Sequence, residues 1–200
     1  MIPCMKPIFD YEAIAEGVFW WHDFNPECKT ECSSTAVQTP EGLVLVDPLR
    51  LEEEAIVRLV GEGGVVAVLL TNGNHERGSA YEKERLEVPI YAPEGARDEV
   101  VADHWVSDGD LLFQSVRALA LPGGGAGEMA YFAPGALILG DAIIHLSALE
   151  VLPDKYCLDP KQLRESLQAL VSLSYDVACF AHGAPLRSDA RAQINRLLAS

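Results

Sequence analysis

The run VVAVLL, residues 65–70, sets six apolar side chains in succession. It keeps no alternation of polar and apolar positions, so a strand built from it needs cover on both faces. The flanking stretches supply that cover. LRLEEEAIVRLVGEGG (49–64) brings Leu51, Ala55, Ile56, Leu59 and Val60 to one side at helical spacing and closes on glycines. GSAYEKERLE (78–87) predicts a second helix, and VPIYAP (88–93) a short strand followed by a helix over EGARDEVVAD (94–103). Upstream, GVFWWHDF (17–24), SSTAVQTP (33–40) and LVLVDP (43–48) read as strands. The last ends at Asp47, and Pro48 stops it.

The second half changes character. WVSDGDLLF, SVRALALP and EMAYFAPGALILGD predict strands joined in hairpin style, with SDGD and APG as two-strand connections. DPKQLRESLQALVSL predicts a helix capped by Asp159 with Pro160 at its first position. DVACFAHG predicts a buried strand, and SDARAQINRLLAS a closing helix capped by Ser188 or Asp189. Periodicity alone supports α/β or α+β. Two strand-rich halves that each end in helix point further, to an α+β four-layer αββα sandwich: two mixed sheets packed face to face with helices outside.

The 200 residues are 49% hydrophobic, which suits a single domain over 1–200 with one proper core. The net charge of −15, with no basic stripe, argues against nucleic acid and against an anionic membrane surface. No apolar run approaches the roughly 20 residues of a spanning helix. The start, MIPCMKPIFDYEAIAEG, does not read as a signal peptide. Five scattered cysteines fit reduced thiols in a cytoplasmic protein, and Cys28 and Cys32 lack the tight C-x-x-C spacing of a zinc pair. A dimer is compatible with the size, but no residue argues for one.

Four apolar strands end in polar residues: LVLVDP, VVAVLLTNGNHER, ALILGD and DVACFAHG. Strand ends are where layered α/β proteins build sites, although each alone is ordinary turn chemistry. Taken together with LALPGGGAGEMAYF, and in this order, the chain resembles the metallo-β-lactamase superfamily over nearly its whole length. LLTNGNHERG stands where that family carries T-H-x-H-x-D-H. Thr71, Asn72, His75 and Arg77, with Pro122, Gly123, Gly127 and Glu128 later, are similar to a branch whose turn reads T-N-x-x-H-x-R.

The resemblance implies two metals. The positions of the first metal's three histidines hold Asn72, Asn74 and Gly124; those of the second metal's ligands hold Glu76, Arg77, Asp141 and His182. A carboxamide is a weak zinc ligand, and glycine offers no side-chain ligand. A divalent ion about 4 Å from the Arg77 guanidinium, at an effective dielectric near 20, would feel roughly 8 kcal/mol of repulsion. Arg77 is therefore expected either to take the metal's place against Asp141 or to reach solvent.

His75 stands at the spacer position, which faces away from the metals in the family; it is read as structural, or as a proton carrier. His145 is a candidate for the cleft, while His22 and His104 read as packing or surface residues.

Three functions compete. One is a fold relative without two-metal hydrolysis, whose cleft binds a small molecule or a partner. A second is a hydrolase of esters, thioesters or lactones with one zinc, iron or manganese on Glu76, Asp141 and His182, assisted by His75 or Asn74. A third is metal-free acid–base chemistry with His182 as base. No catalytic residue is firmly assigned; Glu76, His75 and His182 are the candidates.

Overall fold

A computed structural model describes residues 7–61 and 63–199. Two sheets form a sandwich. The first has seven strands in sequence order: β1 (Glu12–Ala15), β2 (Val18–Asn25), β3 (Thr30–Thr39), β4 (Gly42–Val46), β5 (Val65–Leu69), β6 (Ile90–Pro93) and β7 (His104–Val106). β1 to β4 are antiparallel, and β4 to β7 are parallel. The second sheet contains β8 (Leu111–Leu112), β9 (Val116–Ala120), β10 (Met129–Ala133), β11 (Gly135–Leu139) and, after the small pair β12 (Ile143–His145) and β13 (Leu149–Val151), β14 (Tyr175–Phe180). Its order is β14-β11-β10-β9-β8, with β14 parallel to β11.

Strand periodicity decides which layer each side chain enters. Leu43 and Leu45 of β4, with Val68 and Leu70 around β5, pack outward against Ala55, Ile56 and Leu59 of α1 (Glu53–Val60). Val44, Val46 and Leu69 point the other way, onto Tyr131, Ile138 and Cys179 of the second sheet. On that sheet's far face Leu137, Leu139 and Phe180 meet Leu163 of α3 (Pro160–Ser166) and Ile194 of α4 (Ala190–Leu198). The outermost layer beside the first sheet also carries α2 (Ser79–Leu86). This is the expected four-layer αββα arrangement. The VVAVLL strand is covered on both faces, as its composition requires.

Four local expectations are corrected. Residues 94–103 form one 3₁₀ turn, Glu94–Ala96, instead of a helix. A Cβ on Gly95 would lie 2.9 Å from the Gly127 Cα, so tertiary packing sets this segment's path. SDGD is not a hairpin: β7 and β8 belong to different sheets, and the turn carries the chain across the sandwich. The helix from Asp159 holds as α only to Ser166 and tightens to 3₁₀ over Leu167–Ser172. β1, β12 and β13 were not legible. The Asp159 cap forms as expected, accepting from the Lys161 and Gln162 amides, whereas Asp189 at the start of α4 makes no side-chain cap bond. At the APG turn, β10 and β11 close a hairpin with Gly135 at φ +78°.

The parallel pairs β4–β5 and β11–β14 send four strand ends to one edge. Asp47, Thr71, Asp141 and His182 all lie within two residues of those ends. Bonds between the sheets close that edge: Ser33 N to Ala181 O at 2.8 Å, Met129 N to Thr71 O at 2.8 Å, and Tyr131 OH to Leu70 O at 2.7 Å. Among the described residues no helix is long and apolar enough to cross a membrane.

Candidate functional site

The turn after β5 sets the site. The Asn72 Oδ1 accepts from the Asn74 amide at 2.9 Å and starts a 3₁₀ turn, Gly73–His75. Successive residues in such a turn are rotated by about 120°, so His75 and Glu76 cannot both face the cleft. His75 does. It is 3% exposed, and its Nδ1 lies 2.9 Å from Asp47 Oδ2 and 2.8 Å from Thr71 Oγ1. Its Nε2 lies 3.4 Å from Asp141 Oδ1. The His182 Nε2 sits 3.2 Å from the same oxygen, and its Nδ1 donates to the Glu31 carbonyl at 2.8 Å.

Donor atoms of His75, Asp141 and His182 thus lie within 4.8 Å of one another, a group that could hold a metal ion. Of the expected set of Glu76, Asp141 and His182, the last two lie in this group together with His75, and Glu76 stays half-buried outside it. His75 is also not turned away, as its spacer position led us to expect.

Both imidazoles are prepared in the same way. Each gives its Nδ1–H to a fixed oxygen, Asp47 for His75 and Glu31 O for His182, and presents Nε2 to the shared point. That is the support metal-ligating histidines almost always have. Asp47 is itself held by the Thr71 amide at 2.8 Å and the Thr71 hydroxyl at 2.5 Å.

The charges follow from this packing. Burial alone would lower the His75 pKa, but the Asp141 and Asp47 carboxylates outweigh it and raise it to about 9. His182 is raised as well: burial opposes, and its bonds to Asp141 and Cys32 prevail. Burial pushes Asp141 up, yet the charge of His75 and the bonds from both histidines hold it well below the usual carboxylate range. Asp47 is lowered, with His75 overcoming burial and Arg77 and Thr71 helping.

The positions expected of a first metal hold something else. The Asn72 Nδ2 donates to Glu128 Oε2 at 2.8 Å and to Asp141 Oδ2 at 3.1 Å. The Glu128 Oε1 accepts from the Ala142 amide at 3.0 Å. A Cβ on Gly124 would lie 2.9 Å from the Glu128 Cγ, so the Glu128 side chain fills the space a side chain at 124 would enter. Asn74 is exposed beside it. No histidine stands among these residues, and the group that could hold an ion among the described residues is His75, Asp141 and His182. Burial, then the Asp141 charge, raises Glu128 to about 7. In the sequence Glu128 belongs to a motif but shows no role of its own; a glycine followed four residues later by a glutamate was the available signal.

Arg77 takes neither expected course. Its guanidinium donates to Ser33 O at 2.5 Å, Ala181 O at 3.0 Å and Asp47 O at 3.3 Å. No ion pair joins it to Asp141 among the described residues. Arg77 is a clamp on the backbone of both sheets, set beneath the site. His145 is also spent elsewhere: its Nδ1 donates to Ala184 O at 2.7 Å, and its ring packs edge-on against Phe180. His22 stacks on Trp20 and pairs with Glu31 at the surface, and His104 tilts against Tyr91. The Cys28 and Cys32 sulfurs are 3.9 Å apart; Cys32 bonds to His182, but neither cysteine belongs to the group that could hold an ion.

An αββα sandwich with a histidine–carboxylate cluster at the strand ends is the layout of a metal-dependent hydrolase fold. The sequence profile of the metallo-beta-lactamase superfamily matches residues 14–199, and the chain belongs to that superfamily. It is similar to a hydroxyacylglutathione hydrolase of Dechloromonas aromatica (strain RCB), 30% identical over 125 residues, which is 59% of this chain and 45% of that protein. The chain thus matches under half the length of this curated relative.

Solved structures share the fold. A metallo-β-lactamase family protein of Thermus thermophilus superposes with TM-score 0.68 at 20% identity, covering 94% of this chain and 80% of that one. The DIM-1 metallo-β-lactamase gives 0.76 at 13%, covering 94% of each. A β-lactamase domain protein of Burkholderia ambifaria gives 0.72 at 19%, covering 98% of this chain and 74% of the other.

Proposed function

We propose that the protein is a hydrolase of esters, thioesters or lactones that works with one divalent metal ion held by His75, Asp141 and His182, and that it lacks two-metal chemistry. The observation that carries this reading is the convergence of His75 Nε2, His182 Nε2 and Asp141 Oδ1, with both Nδ1 atoms already committed to oxygens. Three protein ligands leave a coordination position open for substrate or water, the usual count in catalytic sites. Membership of a family that contains metal-dependent hydrolases, and the likeness to a protein named as a hydrolase, support the reaction class.

When bound, such an ion supplies Lewis acidity to a carbonyl group and acidifies water. The chain's own residues do the rest. Asp47 and Thr71 fix the ring of His75, and Glu31 O fixes that of His182. Asn72 holds Asp141 and Glu128 at a set separation by donating to both. Glu128, 2% exposed, accepts from Asn72 on that side of the cluster.

One observation favours a second reading, a metal-free binding cleft. His75 lies between two carboxylates, and as an imidazolium it can neutralise Asp141 without any ion. Magnitudes favour the metal. With a pKa of about 9, displacing the extra proton of His75 at pH 7 costs about 3 kcal/mol, against zinc-site affinities of order 10 kcal/mol.

Elemental analysis of untagged protein prepared without chelator tests the choice. About one zinc, iron or manganese per chain is expected, lost in His75→Ala and His182→Ala, with ester hydrolysis abolished by chelator. No metal after incubation with excess zinc would overturn the proposal, and two ions per chain would overturn the one-metal assignment.

A further inference from the structure

A cleft of about 530 Å³ opens on the side of the molecule that carries Glu128. Its floor is the glycine-rich loop 122–127, and its apolar wall includes Val106, Met129 and Leu158. Glu128 lines it and is tied to Asn72, whose amide also reaches Asp141. A Cβ on Gly125 would lie 3.7 Å from Asn74 Nδ2 and 3.8 Å from Asn72 Nδ2, so the inner end of the cleft reaches the amide that donates to Asp141 at 3.1 Å.

The charges lining this cleft have one sign. Glu94, Asp108 and Glu128 line it, and no Lys, Arg or His does among the described residues. Arg97 pairs with Glu94 at 3.3 Å from outside, with both side chains half-exposed, and its guanidinium lies over the Trp105 ring. Asp108 accepts from the Ala120 amide at 2.9 Å and has no ion pair among the described residues. The neutral polar groups are Ser107, whose hydroxyl already donates to Glu94 at 3.0 Å, and Gln162.

We infer that this cleft is the acyl-group subsite of the reaction proposed above, that it takes an uncharged or cationic acyl group with an apolar stem, and that Asp108 sets its discrimination against carboxylate-bearing substrates. The assignment as an acyl subsite rests on the hydrolase reading; the binding preference does not. The apolar wall supplies contact for a short aliphatic stem. A carboxylate on that stem, taken to sit about 6 Å from Asp108, would meet a like charge. At a rim dielectric of about 40, that repulsion weakens binding by about tenfold at low salt.

The test separates binding from turnover. Three anilides that the enzyme has no reason to cleave, 4-nitrophenyl butyramide, its 4-amino derivative and 4-nitrophenyl succinamate, are titrated against the full chain by calorimetry at low salt. The matching nitrophenyl esters report hydrolysis. We expect the neutral and ammonium anilides to bind at least tenfold tighter than the succinamate. Asp108→Asn should narrow that gap several-fold and leave the butyramide unchanged. Glu84→Gln, on the exposed side of α2 and identical in charge change, should leave the gap alone. Equal or tighter binding of the succinamate, an Asp108→Asn effect no larger than that of Glu84→Gln, or failure of all three anilides to bind would each overturn the inference. If the anilides bind as expected and no ester is cleaved with zinc present, the binding preference stands, and the hydrolase reading falls together with the acyl-subsite assignment.

Discussion

Replacing Arg77 by methionine keeps much of the stem and removes the guanidinium. Three backbone carbonyls lose the guanidinium, at 2.5, 3.3 and 3.0 Å: Ser33 on β3, Asp47 at the end of β4, which keeps the Ser34 hydroxyl, and Ala181 at the end of β14, which keeps the Ser33 amide. The two shorter bonds are charge-assisted, and each is worth about 1.5–3 kcal/mol; the third is long and adds little. Water can reach part of this half-buried region, so the expected loss is about 3–5 kcal/mol. For a domain of this size that lowers Tm by roughly 6–20 °C.

Urea unfolding followed by tryptophan fluorescence measures the loss, with an unchanged m-value showing that the native and denatured states keep their compactness. Arg77→Lys should recover only part, because an ammonium lacks the planar fork that spans carbonyls of two sheets. Removing the cation also lets the His75 and His182 pKa values rise further, since the Arg77 charge lowers both. A loss under about 1 kcal/mol would refute the clamp and return Arg77 to the role of a surface residue.

Two further outcomes can be checked. Gly124→His should not rebuild a metal site: its Cβ would meet the Glu128 Cγ at 2.9 Å, costing about 1–3 kcal/mol of overpacking. Glu128→Ala in the same chain should relieve that cost in denaturant melts. The stability of chelator-treated protein should fall as pH rises. His75 has its folded pKa raised from 6.5 to about 9, so its contribution is fully present below about pH 6.5 and is lost as pH passes through 9. The expected change is about 3 kcal/mol, and His75→Gln should flatten that upper limb. Glu128, raised to about 7, acts in the same direction at lower pH.

The sequence by itself determined the layers. VVAVLL had to be a central strand because no polar face was left to show to water, and the alternation in β4, β11 and β14 assigned each side chain to a core. It also placed Asp47, Thr71, Asp141 and His182 at strand ends, because apolar runs stop where polar residues begin. Only the tertiary structure decided which neighbours in the turn 71–77 face inward. The Asn72 side chain bends the backbone into a 3₁₀ turn, and a rotation of one residue puts His75 in the cleft in place of Glu76.

The roles of Arg77 and Glu128 were fixed by partners far away in sequence, at Ser33, Ala181 and Ala142. A pattern of residue types carries the period of a strand, but not the carbonyl that a guanidinium will meet once two sheets have closed.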